Sequence, residues 1–172
     1  VEVMLQAWRK WRTDALPRLD GMFAFALWNG REGYLAVDPF AEKPLYYAET
    51  DDGIYVASEI TPLVDLLHLR PRLSAKLLAG YLALGYIQPP ETIYPVVRKL
   101  RPATVLRIGR GRVVDETCYW QAPRPEAGRG AVQPLSEAEL DRLQQALGES
   151  LAGRLITDVP MGIFLSSGVD SG

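Results

Sequence analysis

The chain has 172 residues, of which 48% are hydrophobic, and this proportion predicts a packed globular core of one domain or parts of two. The formal net charge of -2 gives no reason to expect nucleic acid or an anionic membrane as a partner. No apolar run approaches the roughly 20 residues of a membrane-spanning helix, and the single cysteine, Cys118, excludes an internal disulfide. We therefore expect a cytoplasmic protein without a secretory signal peptide, and the opening Val1 suggests a piece of a longer chain.

The first part of the chain is predicted to mix helices with short strands. Residues 1–12 carry apolar side chains at three-to-four spacing, which predicts a helix. This spacing favours core packing of Trp8 and Trp11 over a ligand-stacking surface. Another helix is predicted to begin at the cap Ser74 and to end at Gly85. Its apolar side is expected to comprise Leu77, Leu78, Tyr81 and Leu82.

Short apolar runs predict strands at 22–28, 34–37, 45–48, 54–57, 104–108 and 112–115. Turn sequences such as Asn29-Gly30 and Gly109-Arg110-Gly111 separate them, and this close spacing favours an antiparallel meander. The run 22–28 is apolar on both alternating faces, so we expect both faces of this strand to be covered.

A second part of the chain follows a predicted linker. Residues 121–135 are rich in Pro, Gly and charge and lack periodicity, which is typical of a linker. Ser136 and Glu139 form a capping box that starts a helix. One face of this helix carries Leu140, Leu143, Leu147 and Leu151. The predicted domains are therefore 1–120 and 136–172, and the second resembles the opening of a parallel α/β unit.

The final stretch carries the most specific chemistry. Apolar residues run from Met161 to Leu165 and predict a buried strand. Ser166-Ser167-Gly168 follows, and Gly168 can adopt positive φ, so successive backbone N–H groups can form a concavity that binds an oxyanion. A carboxylate at Asp170 can hold Mg²⁺ or orient the loop. No lysine follows, so the stretch is not a Walker A loop.

The stretch resembles the pyrophosphate-binding loop of the ATP pyrophosphatases, S-G-G-x-D-S, with Ser167 in place of the first glycine. That resemblance implies that ATP is split between its α and β phosphates and that an acceptor is adenylated. The ATP- and pyrophosphate-binding residues would be Leu165, Ser166, Ser167, Gly168, Val169, Asp170 and Ser171, with Asp170 as the candidate Mg²⁺ ligand. The alternative from this motif alone is a Gly/Ser turn after a core strand.

Four stretches together resemble the glutamine-hydrolysing asparagine synthetases, in the order and at the separations typical of that family. They are residues 19–28, 43–47, 55–60 and 158–171. The resemblance implies an α+β domain, the C-terminal part of an αββα N-terminal-nucleophile glutaminase, followed by the start of a parallel α/β ATP pyrophosphatase domain. It also implies ATP, Mg²⁺, glutamine and aspartate as ligands of the intact enzyme, and it is compatible with a homodimer.

The sequence departs from this family in several respects. The nucleophilic cysteine and the glutamine-binding segments belong to a first half that we expect to lie upstream, so no catalytic residue is predicted in this chain. Cys118 has no α-amine to act as its base and is interpreted as structural. Val37 stands where the family usually has Arg, and Ala41 where it usually has Gly, and both indicate a divergent subgroup.

Three functions stay open at this point. The first is an asparagine synthetase whose piece is inactive alone. The second is a related ATP-dependent amidotransferase with another acceptor, such as a β-lactam-forming or exopolysaccharide-associated enzyme. The third is a non-catalytic remnant that serves as a binding scaffold. A cysteine directly after the initiator methionine of a longer reading frame would favour a working glutaminase.

Overall fold

A computed structural model describes residues 1–124 and 134–168, and its contacts divide the chain into two units, Val1–Pro123 and Arg124–Gly172. The helices are α1 (Glu2–Trp11), α2 (Ile60–Leu66), α3 (Ala75–Leu84) and α4 (Glu137–Arg154), with a 3₁₀ helix over Arg12–Arg18. The strands are β1 (Ala24–Trp28), β2 (Glu32–Val37), β3 (Tyr46–Thr50), β4 (Gly53–Ala57), β5 (Val97–Lys99), β6 (Thr104–Gly109) and β7 (Arg112–Cys118). Within the described ranges, no helix is long and apolar enough to cross a membrane.

The strands form two antiparallel sheets. The first has the order β1-β2-β6-β7 and the second the order β4-β3-β5. Hairpins join β1 to β2, β3 to β4 and β6 to β7, as the turn sequences predict. The pairings of β2 with β6 and of β3 with β5 instead join strands that are distant in the sequence. This mixture of helices and antiparallel sheets confirms the α+β class.

The β1–β2 turn shows how its sequence reverses the chain. The Asn29 N–H donates to the Glu32 carbonyl at 3.1 Å, and the Asn29 Oδ1 accepts from the N–H groups of Arg31 and Glu32 at 2.9 and 2.7 Å. The central residues are therefore Gly30 and Arg31, one position later than the Asn29-Gly30 signal suggests. Gly30 supplies the positive φ of 90° that such a tight turn requires.

The central core lies between the two sheets. Leu35 and Val37 of β2 face this core, whereas Ala36 between them faces the opposite side of the sheet. This alternation follows from the two-residue period of a strand. The buried members of the central core are Leu35, Val37, Leu45, Tyr47, Leu100, Leu106 and Ile108.

Helices cover the outer face of each sheet. Trp8 of α1 packs on the first sheet, where its ring meets that of Phe25 edge-on with centroids 5.8 Å apart. Leu63 of α2 packs with Val97 on the outer face of the second sheet. The layers of Val1–Pro123 therefore follow the order helix, sheet, sheet, helix.

Two tryptophans in this unit do not have the burial that the sequence predicts. Trp8 is buried as expected, but core packing is wrong for Trp11, which is 36% exposed. The cations of Lys10 and Arg18 lie 4.7 and 4.9 Å from the centre of the Trp11 ring. Trp28 is 62% exposed, so coverage of β1 on both faces is also wrong. The reason is that β1 lies at the edge of the described sheet, where fewer neighbours reach it.

Helix α3 has the predicted ends but not the predicted packing. The Ser74 hydroxyl accepts the Leu77 N–H at 3.2 Å, and Gly85 closes the helix with φ of 77° and an N–H bond to the Tyr81 carbonyl. No side chain of α3 is buried. Leu78, Tyr81 and Leu82 are 42%, 49% and 74% exposed.

The second unit contains α4, and its start confirms the predicted capping box. The carboxylate of Glu139 accepts the Ser136 N–H at 2.8 Å, and the Ser136 side chain accepts from the backbone N–H of Glu139. The predicted leucine face is present but unburied. Leu140, Leu143, Leu147 and Leu151 are 50%, 49%, 56% and 62% exposed.

The buried strand predicted from Met161 to Leu165 is wrong, because residues 161–166 form no strand. Phe164 is 101% exposed and Leu165 80%. A strand of a parallel sheet needs neighbouring strands, and α4 is the only regular element among described residues 134–168. Most of the predicted linker, residues 125–133, lies outside the described residues, so the linker stays a prediction.

Candidate functional site

The predicted phosphate loop is only partly described. Leu165 is 80% exposed, and Ser166-Ser167-Gly168 is exposed throughout. The Gly168 N–H donates to the Ser166 Oγ at 3.3 Å, and this bond links two residues of the loop locally. The φ of Gly168 is not in the left-handed region. The remaining predicted residues, Val169-Asp170-Ser171, lie outside the described residues.

The described part of this loop has suitable groups for a phosphate. The hydroxyls of Ser166 and Ser167 are exposed, and a serine hydroxyl can donate to a phosphate oxygen. The small side chains of such a loop allow an anion to approach the backbone, although the Gly168 N–H here donates to the Ser166 Oγ. Hydroxyl donors of this kind are suited to a phosphate group. The proposed magnesium ligand, Asp170, is not among the described residues, and the site assignment stays a prediction.

The only thiol, Cys118, is exposed at the end of β7. Its Sγ donates to the carbonyl oxygen of Trp120 at 3.0 Å. A carbonyl oxygen accepts this hydrogen bond but does not remove the proton, and an activated thiol needs a base or a nearby cation. The hydrogen bond of Cys118 therefore does not activate its thiol as a nucleophile.

A second site, centred on Asp38, was not predicted from the sequence. Asp38 is 1% exposed at the end of β2. Its carboxylate accepts four backbone N–H groups: those of Phe23 at 3.2 Å, Phe40 at 3.0 Å, Glu42 at 3.1 Å and Lys43 at 3.2 Å. Charge-assisted bonds of this kind offset the cost of burying a carboxylate. Asp38 therefore links the loop 39–44 to Phe23, the residue that precedes β1.

The backbone of Asp38 extends this network to β6. The Asp38 carbonyl accepts the N–H groups of Ala41 and Ala103, each at 3.0 Å. Both alanines have left-handed backbones, with φ of 51° and 53°. This conformation strains residues that carry a Cβ and favours glycine. A glycine would suit position 41 for this reason, and Ala41 adopts the positive φ at a cost in strain.

The network also reaches the end of β7. The Tyr119 hydroxyl donates to the Val37 carbonyl at 2.6 Å. Burial, with a smaller contribution from the Asp38 carboxylate, raises the pKa of Tyr119, so this hydroxyl keeps its proton and remains a donor. Val37 itself lies fully buried in the central core, where an arginine would bring a charge among apolar side chains. Valine therefore suits the apolar surroundings of position 37.

The loop held by Asp38 presents an aromatic pair at the surface. Phe40 is 63% exposed, and its ring meets Trp120 edge-on with centroids 5.3 Å apart. The sequence signal that could have identified this anchor is Asp38-Pro39 directly after an apolar strand, since Asp commonly accepts backbone N–H groups at the start of a turn. The arrangement positions a loop and contains no acid–base pair that could catalyse a reaction.

Two family models match separate parts of the chain. A family model described as a glutamine amidotransferase domain matches residues 1–120, and one described as asparagine synthase matches residues 142–172. A Mycobacterium bovis protein named "Putative asparagine synthetase [glutamine-hydrolyzing]" is 36% identical over 175 residues, which cover 99% of this chain and 27% of that protein. A Mycobacterium tuberculosis protein of the same name shows the same figures.

A Bacillus subtilis protein named asparagine synthetase [glutamine-hydrolyzing] 1 is 31% identical over 173 residues, or 99% of this chain and 26% of that protein. The chain thus spans about a quarter of the length of these curated relatives. Both parts of the chain match in the order that the sequence resemblance requires. The chain therefore belongs to the glutamine-hydrolysing asparagine synthetase family, with a glutamine amidotransferase domain over residues 1–120.

Proposed function

We propose that this chain is part of an enzyme that makes asparagine from aspartate, ATP and glutamine. In the intact enzyme, ATP adenylates the side-chain carboxylate of aspartate and releases pyrophosphate, and ammonia from glutamine then displaces AMP. The observation that carries this proposal is the order of the two family matches, 1–120 and 142–172, in one chain. The names of the relatives support the same reaction.

In this proposal, the two ends of the chain belong to domains with different activities. Residues 1–120 form the C-terminal part of an N-terminal-nucleophile glutaminase, and the helix, sheet, sheet, helix order of their layers supports this assignment. Residues 121–135 form the linker, and residues 136–172 begin the ATP pyrophosphatase domain. We expect the glutaminase nucleophile to be supplied from outside this chain, and the hydrogen bond of Cys118 to a carbonyl oxygen rather than to a base supports this.

The loop from Leu165 to Ser171 is the proposed ATP site of the second domain. Ser166, Ser167 and Ser171 donate hydroxyl groups to the β and γ phosphates, and Gly168 permits close approach of the backbone. Asp170 holds Mg²⁺, which neutralises phosphate charge when bound. Ser167 adds a Cβ where the family motif has glycine, and its hydroxyl provides a further donor.

The test is ATP–pyrophosphate exchange in the full-length protein. Wild type should exchange pyrophosphate only when aspartate is present, since adenylation precedes the release of pyrophosphate. Asp170→Asn should lose most of this exchange, and Ser167→Gly should retain it. Asp141→Asn, which changes an exposed carboxylate on α4, is the matched control and should leave exchange unchanged.

The outcomes separate the proposal from its alternatives. Exchange that requires an acceptor other than aspartate would identify a related amidotransferase and overturn asparagine synthesis. No exchange with any acceptor would favour a scaffold without catalytic activity. Exchange that survives in Asp170→Asn would remove the role assigned to that carboxylate. In the 172-residue chain itself, glutamate release from glutamine should be absent, and release that disappears in Cys118→Ala would contradict this.

A further inference from the structure

The last residues of the packed unit are held against segments that lie far from them in the sequence. The Tyr119 hydroxyl donates to the Val37 carbonyl, 82 positions away, and the Tyr119 N–H donates to the Ala103 carbonyl at 2.8 Å. The ring of Trp120 packs edge-on against that of Phe40, with centroids 5.3 Å apart. These two consecutive residues are therefore bound by backbone, hydroxyl and ring contacts at once.

The surroundings of the chain change directly after these contacts. Tyr119 and Trp120 are half-buried, whereas residues 121–124 are all exposed. The match to the glutamine amidotransferase family model also ends at residue 120. The packed unit thus holds the chain up to Trp120, the residue before the predicted linker.

The loop that receives Trp120 is held more firmly than an ordinary surface turn. The buried Asp38 carboxylate accepts four backbone N–H groups. Ala41 and Ala103 both donate to the Asp38 carbonyl from left-handed backbones, with φ of 51° and 53°. Strained residues persist only where the surrounding structure fixes them, and they cluster at functional sites. Phe40 is nevertheless 63% exposed, so this firmly held loop presents a ring that contributes little to the core.

We propose that Phe40, Tyr119 and Trp120 form an anchor that fixes the point and direction in which the chain leaves the amidotransferase domain. These three residues act on the course of the chain and not on a substrate, so they are positioning residues. The consequence for the enzyme rests on the proposed function. Ammonia released from glutamine in one domain must reach the aspartyl adenylate formed in the other, and a fixed chain exit limits its loss to solvent.

The anchor is tested in the 172-residue chain by a nitroxide label at Ala122→Cys, in a Cys118→Ser background that leaves one labelling site. Ala122 is exposed and lies two residues after Trp120, so an intact anchor should restrict the label. Phe40→Ala and Trp120→Ala should each shorten its rotational correlation time, measured by electron paramagnetic resonance, about twofold. Trp28→Ala truncates an exposed ring at the edge of the first sheet and is the matched control, which should leave the spectrum unchanged.

Tyr119→Phe separates anchoring from packing, because it keeps the ring and removes only the hydroxyl that donates to Val37. The label should become more mobile in this variant, by less than in Phe40→Ala. Tyr86→Phe changes an exposed tyrosine in the same way and should have no effect. Circular dichroism should match wild type throughout, so that mobility reports the chain exit and not unfolding. A label that stays equally restricted in Phe40→Ala, Trp120→Ala and Tyr119→Phe would overturn the anchor.

The consequence for the enzyme is tested in the full-length protein by the glutamate released per asparagine formed. Phe40→Ala should raise this ratio about twofold over wild type and leave asparagine formation from added ammonia unchanged. Trp28→Ala should retain the wild-type ratio. A ratio unchanged in Phe40→Ala would overturn the role in ammonia transfer. Wild type that forms no asparagine from glutamine or from ammonia would instead overturn the proposed function and the transfer role with it, while label mobility would still decide whether the anchor exists.

Discussion

The two units of the chain differ in what their apolar side chains contact. In Val1–Pro123, Leu35, Leu100 and Leu106 are at most 2% exposed. In the described residues 134–168, the four leucines of α4 are 49–62% exposed, and Phe164 is fully exposed. Both sets follow the spacing expected for their elements. Spacing thus predicts which side chains share a face, whereas burial requires a second element for that face to pack against.

The difference in burial between the two units is tested most directly by truncating one leucine in each. Leu106→Ala should lower the free energy of unfolding by about 3 kcal/mol, because Leu106 is fully buried and its loss leaves a cavity. Leu147→Ala should change it by no more than about 0.5 kcal/mol, because Leu147 is 56% exposed. Urea unfolding followed by tryptophan fluorescence and circular dichroism measures both. Equal losses would contradict the difference between the units.

The next largest effect is expected at the buried carboxylate. Asp38→Ala should lower the free energy of unfolding by about 2–3 kcal/mol, because it leaves four backbone N–H groups without their acceptor. Asp158→Ala in the second unit removes an exposed carboxylate and should have an effect within about 0.5 kcal/mol. Asp38→Asn should fall between them, since one acceptor oxygen remains. A loss for Asp38→Ala no larger than that for Asp158→Ala would show that the network does not hold the loop.

Local sequence signals predicted much of the fold. The cap at Ser74, the capping box at Ser136 and the turn at 109–111 depend on neighbours within a few residues, and the structure contains all three. The pairing of β2 with β6 and the hydrogen bonds of Asp38 join positions far apart in the chain. No local pattern specifies such partners, which explains why the Asp38 site was missed.

The phosphate loop illustrates the opposite case. A motif of six residues predicts it, because the proposed chemistry resides in residue types at fixed spacing. Its conformation depends on a surrounding sheet, and the described part of the second unit has only α4 as a regular element. The motif therefore predicted a candidate ligand, while the strand from Met161 to Leu165 that should position the loop was predicted wrongly.

A smaller effect should come from backbone strain inside the packed unit. Ala41→Gly should raise the free energy of unfolding by up to about 1 kcal/mol, because Ala41 holds φ of 51° and glycine adopts this conformation without strain. The same substitution at Ala79, in the exposed middle of α3, should lower it by about 1 kcal/mol. Thermal unfolding of both variants measures the difference. Destabilisation by Ala41→Gly would show that the left-handed backbone carries no strain.

The smallest effects concern two carboxylates, one in each unit, whose pKa values are lowered for different reasons. The pKa of Glu49 is lowered by the Val113 N–H, which donates to its Oε2 at 2.9 Å, and then by the Arg112 guanidinium at 3.2 Å. The pKa of Glu139 is lowered by the Ser136 hydroxyl and then by the Ser136 N–H. Arg112 links β7 to the end of β3, and therefore joins the two sheets. Glu139 caps α4 alone.

Both shifts predict loss of stability in acid. A carboxyl group whose pKa is lower in the folded chain stabilises the fold above its unfolded pKa, near 4.5, and this contribution disappears as the pH falls through the folded value. Glu49→Gln should flatten the acid side of the unfolding profile followed by tryptophan fluorescence, because all four tryptophans lie in the first unit. Glu139→Gln should instead reduce helical circular dichroism at neutral pH and leave the fluorescence profile unchanged. A fluorescence change in Glu139→Gln would mean that the cap of α4 affects the packed unit, and the two units would then not respond independently.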